Sequence, residues 1–381
     1  MNKRGKLEWR VGGSNFGLSL RYARIPLLLA GGVSLLAGLW AGLARAGLPL
    51  PRVGLAGLHG PLMIPGFLGT LIGLERAVGL GRRWAYLSPL ASAVGTALLL
   101  LGASATWVAV TYSVGAVCLL ATMISLWSGH RAWYTFLFVL GASCLVMGDL
   151  YWLAEGSPTH GAGWWLAFLI ATIAAERMEL SRVIVPPRWA QPALVAVFFL
   201  LVASLVSGGL GTRLSAIGIG VALVAIALWL VRFDVAWRTV RHRGLPRFVA
   251  IALLSGFTWL GVAGALATTQ PAALAGTAYD AVLHAVFLGF VFSMIFAHAP
   301  MIFPSILGLR VPFHWMFYIH LAVLHVSVAL RVAGDVGQDW FVRTWGVLGN
   351  AAAIVLFLAV TISRILFSSQ EKHAVVEVRR A

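Results

Sequence analysis

The chain contains about twelve stretches of roughly 20 mostly apolar residues, joined by short loops. Of its 381 residues, 60% are hydrophobic and only 10% are charged, whereas a soluble domain has roughly 25% charged residues. Lipid offers no partner to backbone polar groups, so a spanning segment must be a helix or part of a closed barrel. The sequence therefore predicts an all-α, polytopic membrane bundle with about 12 transmembrane helices. The predicted segments are 25–47, 54–78, 84–103, 105–127, 132–154, 162–180, 190–208, 213–232, 246–268, 277–298, 312–333 and 343–366.

The distribution of lysine and arginine predicts the orientation of this bundle. With the N-terminus in the cytoplasm, five arginines fall on the outer side, and all others of the 28 basic residues fall on the inner side. Such a bias is typical of cytoplasmic loops. We expect a cytoplasmic N-terminal segment at 1–24, a single transmembrane domain at 25–366 and a cytoplasmic tail at 367–381. The net charge of +16 is spread over loops, so we expect a lipid bilayer as partner and no nucleic acid.

Three histidines from three different segments lie in the predicted outer half of the bundle: His59, His284 and His325. An ionisable side chain inside a membrane is costly, so it marks a functional site by default. A single histidine of this kind is also compatible with a hydrogen bond between helices. The shared depth of three imidazoles, however, is what a bound metal or haem requires.

Neighbouring residues strengthen two of these three positions. His59 and Met63 are four residues apart and share a helix face, which Gly66 keeps thin enough for a flat ligand or another helix. Asp280 and His284 have the same spacing, so the carboxylate can hold the second ring N–H of a ligating imidazole. A methionine at such a position is more often a lipid-facing or core residue, so Met63 is the weaker candidate.

A second polar layer lies at the predicted inner ends of the segments. The candidates there are His298, His314, His320, Arg177 and Arg182. The simpler interpretation is ion pairs that reach the membrane interface. The functional alternatives are a proton path, an arginine pair that holds haem propionates, or a second site around His298. His298 is 14 residues beyond His284, about 21 Å along a helix.

These motifs resemble those of the NnrS family, bacterial twelve-helix membrane proteins associated with haem, copper, denitrification and nitric oxide stress. The resemblance rests on His59-x-x-x-Met63-x-x-Gly66-Phe67, on His284-Ala285 with Gly289 and Met294, on Arg182-Val183-Ile184 before Pro186, and on Leu330-Arg331-Val332. The first motif of that family usually reads His-x-His-Glu-Met. Pro61 and Leu62 stand at its second His and its Glu, which weakens the case for copper in particular.

The resemblance implies a haem protein of nitrogen-oxide metabolism, nitric oxide response or electron transfer, with copper as a second candidate cofactor. It implies the bacterial cytoplasmic membrane as location and a redox partner or respiratory complex as partner. His59 and His284 would be the ligands, His325 a third candidate, and Met63 a further one, with Asp280, Gly66 and Gly289 in support. Two alternatives stay open: a transporter of a small solute or protons, and a cofactor-free accessory subunit of a respiratory complex.

Overall fold

The computed structural model describes residues 14–51, 53–270, 272, 275–309 and 311–378. All regular secondary structure in these residues is helical, which confirms the prediction of an all-α chain. Within the described ranges, nine helices are long and apolar enough to cross a membrane. The chain therefore has the composition and the helix lengths of a membrane protein.

A helix lies in each of the twelve predicted segments. The helices are α1 (Ser14–Arg45), α2 (Ala56–Leu80), α3 (Leu87–Leu100), α4 (Ala105–Gly129), α5 (Trp133–Glu155), α6 (Ala162–Ser181), α7 (Ala190–Val206), α8 (Arg213–Phe233), α9 (Leu245–Thr269), α10 (Thr277–Pro304), α11 (Phe317–Gly337) and α12 (Trp340–Val378). Three of them are not among the nine apolar spans. Helices α3 and α7 have only 14 and 17 residues, and α6 carries a charged cluster at its end.

Both predicted terminal segments are partly helical where they are described. Helix α1 begins at Ser14, and α12 continues to Val378. The remainder of the predicted N-terminal segment, residues 1–13, and the end of the predicted tail, residues 379–381, lie outside the described residues.

Helices α2 and α10 each contain a π-helical segment, Leu62–Leu68 and Ala285–Phe292 respectively. A π turn adds a residue to the helical turn, is rare, and occurs mostly at functional sites. In α2 the segment contains Pro65, which has no N–H to donate to the preceding turn. The segment in α10 begins at the residue after His284, and the segment in α2 begins three residues after His59. The wide turns therefore lie within one turn of two of the predicted ligands.

Candidate functional site

A partly open cavity lies between α1, α2, α10 and α12. Most of its wall is apolar, formed by residues such as Ile64, Leu288 and Ile354. One end is polar and is lined by His59, Asp280, His284, Arg331 and Arg343. An apolar pocket with a few convergent polar groups is the usual form of a small-molecule or cofactor site.

His59 and His284 face each other across this cavity. Their ring centroids are 6.3 Å apart, and the ring planes differ by 17°. His59 Nδ1 lies 2.8 Å from the carbonyl oxygen of Gly38. His284 Nδ1 lies 2.9 Å from the carbonyl oxygen of Asp280 and 3.2 Å from its Oδ1. The structure thus brings together two of the three predicted outer histidines, from helices far apart in the sequence.

The partners of Nδ1 decide the tautomer of both imidazoles. An Nδ1 that faces a carbonyl oxygen must carry the hydrogen, so in the neutral ring Nε2 holds the free lone pair. No described residue makes a hydrogen bond to Nε2 of either histidine. A ligating histidine commonly donates its other ring N–H to a carbonyl or carboxylate. In the neutral form, Nε2 of each ring therefore has a lone pair that no described residue uses.

Two glycines of α1 create the space that His59 occupies. A Cβ atom at Gly42 would lie 2.8 Å from both Cε1 and Nδ1 of the His59 ring. At Gly38, a Cβ atom would meet the side chain of Met63. Because both positions lack a side chain, the imidazole and the thioether of α2 can lie against the backbone of α1. Met63 also lines the cavity, so the predicted His59–Met63 face does point toward it.

Asp280 connects His284 to two arginines. Its Oδ2 accepts hydrogen bonds from Arg331 Nη2 at 2.8 Å and Nε at 3.2 Å, and from Arg343 Nη2 at 3.3 Å. Arg343 Nε also donates to Asp335 Oδ1 at 2.6 Å. The Asp280 side chain is only 14% exposed, so this network is shielded from solvent. Asp280 holds the predicted position behind His284, and the arginines fix its carboxylate.

Arg331 and Arg343 were not predicted as site residues. Arg331 belongs to the Leu330-Arg331-Val332 motif, and both are among the few arginines on the predicted outer side. The small number of basic residues on the outer side is the sequence signal that points to these two arginines. A basic residue on that side of the membrane needs a local partner. Both arginines are far from Asp280 in the sequence, so their ion pairs with it could not be predicted. The packing of α10, α11 and α12 brings the three side chains together.

His325 lies apart from the other two histidines. Its Nδ1 accepts a hydrogen bond from Trp259 Nε1 at 3.0 Å, and it does not line the cavity. Trp259 also packs on Gly289, where an added Cβ would collide with the indole. Gly289 therefore gives space to the Trp259 side chain of α9 and not to a ligand of the cavity.

Gly66 also serves helix packing. A Cβ atom there would lie 2.9 Å from Thr96 Oγ1 and 3.0 Å from Tyr112 OH. These hydroxyls form a chain with Ser34, whose Oγ donates to the carbonyl oxygen of Leu62 at 2.7 Å. The chain therefore satisfies the first carbonyl of the π-helical segment in α2, and the close approach at Gly66 is made by other helices.

The predicted inner-layer arginines have protein partners. Arg177 Nε lies 3.7 Å from Asp234 Oδ2, and burial raises the pKa of that carboxyl group. Arg182 Nη1 donates to Tyr134 OH at 3.4 Å. Neither arginine lines the cavity. The structure thus places no propionate-holding arginine pair from this layer beside the two facing histidines.

The three inner histidines lie in three different surroundings. The His320 ring is enclosed by aromatic rings, the nearest being Phe296 at 4.7 Å between centroids. His314 Nδ1 accepts from the backbone N–H of Met316 at 3.3 Å. His298 Nδ1 lies 2.6 Å from the carbonyl oxygen of Met294, and its buried Nε2 has no partner among the described residues. They do not converge on one site.

No group of three or more His, Cys, Asp or Glu residues in the described ranges is arranged to hold a metal ion. The facing pair of His59 and His284 therefore suits a cofactor that needs only two protein ligands. Haem is of this kind, because the macrocycle supplies the other four ligands of its iron.

Two comparisons with known proteins bear on identity. A search of curated proteins finds no match to the chain. Residues 24–366 match the family described as a domain of unknown function, DUF8744. That match covers all twelve helices at least in part, and it does not test the resemblance to NnrS proteins, which stays a prediction. The chain belongs to the DUF8744 family.

Proposed function

We propose that this protein binds haem in the cavity between α2 and α10, where His59 and His284 would hold it. The facing imidazoles are the observation that supports this proposal. Two imidazoles that bind one metal from opposite sides, each at about 2.0 Å, have ring centres about 6 Å apart. The observed separation is 6.3 Å, and both Nδ1 atoms face backbone carbonyls. The apolar wall suits the body of a macrocycle.

The donor set favours haem over a copper ion. A copper site in a protein needs further His, Cys or Met ligands beyond a histidine pair, and Met63 is the only sulfur-containing residue among those that line the cavity. Pro61 and Leu62 also stand where NnrS proteins usually have histidine and glutamate. Copper is therefore the secondary expectation, and metal analysis measures it directly.

The role that we propose is in nitrogen-oxide metabolism, nitric oxide response or electron transfer, in line with the resemblance to NnrS proteins. When bound, haem supplies one-electron chemistry and an iron that binds nitric oxide. His59 and His284 would be the residues that hold this group. Asp280 orients His284 through both its carbonyl oxygen and its carboxylate, and the carbonyl oxygen of Gly38 orients His59.

We also propose that all twelve helices cross the bacterial cytoplasmic membrane, with both termini in the cytoplasm. Exposed tryptophans at the helix ends support the crossings, because tryptophan concentrates at both membrane interfaces. On the proposed inner side these are Trp84, Trp133, Trp189, Trp237 and Trp315, and on the outer side Trp107, Trp340 and Trp345. The orientation is supported by the bias of lysine and arginine toward one side. The short helices α3 and α7 would then cross where the bundle is thinner or their ends reach the interface.

The experiment is a reduced-minus-oxidised visible spectrum and a metal analysis of the full chain, purified in detergent from haem-replete cells. We expect haem bands that are lost in His59→Ala and in His284→Ala. The matched control is His325→Ala, which removes an imidazole of the same outer layer that does not line the cavity. Wild-type protein without haem from such cells would overturn the proposal.

A second candidate function is transport of protons or a small solute. It is favoured by the ion pairs of Arg76 with Glu75 and Glu176, which lie near the inner end of α2 within electrostatic range of His298. Helices α2 and α10 thus each carry polar residues near both ends. Dye-detected proton flux into proteoliposomes, lost in Glu75→Gln without loss of haem, would support this candidate.

A further inference from the structure

We propose that the ligand of the central cavity carries carboxylate groups, which Arg45, Arg331 and Arg343 hold at the polar end. The inference rests on the proposed function, because in haem these carboxylates are the two propionates. It assigns the propionate-holding role to arginines of the outer layer, in place of the inner pair that the sequence suggested.

The first argument concerns hydrogen-bond donors that are not used. A guanidinium has five N–H donors. Arg331 uses Nε and Nη2 on Asp280, and Arg343 uses Nε on Asp335 and Nη2 on Asp280. No described residue accepts from Nη1 of either side chain. Both side chains line the cavity and are only 11% and 12% exposed. Both Nη1 groups therefore remain available to a ligand of the cavity, and a carboxylate is the strongest acceptor that a ligand can provide for them.

The second argument concerns charge. Asp280 and Asp335 balance Arg331 and Arg343, and the two histidines are neutral in the ligating state. Arg45, the last residue of α1, also lines the cavity and forms no ion pair with any described residue. Its charge acts on both His59 and Tyr279 at the same end. The polar end therefore keeps a net positive charge, which favours an anionic group.

The third argument concerns the rest of the wall. Beyond the polar end, the cavity is lined by aliphatic and aromatic side chains of α2, α10 and α12. A free inorganic anion gains nothing from such a wall and loses hydration there. A large apolar molecule with carboxylates at one edge satisfies both parts of the cavity. The shape of the charge distribution thus matches the one-sided placement of propionates on haem.

The experiment compares haem with haem dimethyl ester, in which the propionates are esterified and uncharged. Protein from haem-depleted cells is purified and titrated with each compound, and binding is followed by the visible spectrum. For the wild type we expect haem to bind at least about tenfold more tightly than the ester. Arg45→Gln should lower the ratio of haem affinity to ester affinity by about threefold or more. Arg45 is exposed and has no ion pair in the described chain, so its substitution leaves the fold intact.

Arg213→Gln is the matched control, because Arg213 lies on the same predicted side and, among the described residues, bonds to the carbonyl oxygen of Gln270. It should keep the wild-type ratio. Equal affinity for haem and ester overturns this inference and leaves the proposed function in place. Absence of binding by both compounds overturns the proposed function and the inference with it. A third result is also informative: the ester binds as tightly as haem, and added nitrite changes the spectrum of the ester-loaded protein but not that of the haem-loaded protein. In that case the arginines bind a free anion, and the propionate assignment is wrong.

Discussion

Replacement of Gly42 by alanine tests whether the position of the His59 ring determines cofactor binding. A Cβ atom at this position would lie 2.8 Å from Cε1 and from Nδ1 of His59. Carbon atoms in ordinary contact are about 3.5–4.0 Å apart. The ring must therefore withdraw by about 0.7–1.2 Å, because the new methyl group is fixed to the helix backbone and the imidazole can move.

This shift breaks the contact that orients the imidazole. The distance from His59 Nδ1 to the carbonyl oxygen of Gly38 is 2.8 Å, and a lengthening toward about 3.6 Å ends the hydrogen bond. The lost bond contributes about 1 kcal/mol. Loss of such an orienting partner typically lowers metal affinity by about 10–100-fold. We expect a decrease of this size in haem affinity for Gly42→Ala.

The assay is haem titration of purified apoprotein, with thermal unfolding in detergent as a separate readout. Gly32→Ala is the matched control, since Gly32 lies in the same helix and a Cβ atom there meets nothing within 4 Å. Alanine in a helix interior is more stable than glycine by about 0.5–1 kcal/mol, so Gly32→Ala should be slightly stabilised with unchanged haem affinity. If Gly42→Ala binds haem as tightly as Gly32→Ala, His59 does not bind the cofactor from the observed position.

Three further substitutions follow from the same contacts. Asp280→Asn removes the charge that Arg331 binds, so the unfolding free energy in detergent should fall by about 3–5 kcal/mol together with haem affinity. An unchanged melting temperature would contradict the role of this ion pair. His325→Ala removes the acceptor of Trp259 Nε1, so it should cost about 1–3 kcal/mol of stability while haem occupancy stays at the wild-type level, and loss of haem would show that this histidine is a ligand. Burial raises the pKa of the Asp234 carboxyl group, so protonation of this group stabilises the folded state. The stabilisation is fully present below the ordinary carboxyl pKa of about 4 and is lost as pH rises through the raised pKa of the folded state. Melting temperatures from pH 4 to 8 should show this decrease in the wild type and less of it in Asp234→Asn.

The sequence was sufficient to predict the helices, because apolar length decides them. Each predicted segment contains a helix, including the short α3 and α7. Hydropathy does not report how a helical turn is wound, so the π-helical segments after His59 and His284 had no signal. Pro65 indicates a break in α2, but α10 has no proline in the corresponding stretch.

For the site, helical spacing and depth identified part of the arrangement. The spacing of Asp280 and His284 placed both on one face, where the structure has them in contact. Depth matched His59 to His284, whose rings do face each other. Depth alone could not separate His325, because the direction in which a side chain leaves its helix depends on how that helix is rotated in the bundle.

The arginines at the cavity required tertiary packing to be recognised. Arg331 and Arg343 are separated from Asp280 by 51 and 63 positions, and each comes from a different helix. A basic residue near the end of a membrane helix is more often an interfacial anchor. Only the packing of α11 and α12 against α10 shows that both guanidiniums turn inward to one carboxylate.

A cryo-electron microscopy map of the full chain from haem-replete cells tests the central claim most directly. We predict planar density in the cavity, bound at its centre by Nε2 of both His59 and His284, with its carboxylate edge toward Arg331 and Arg343. An apolar density such as a lipid tail, or a cavity without planar density between the two imidazoles, would contradict the account.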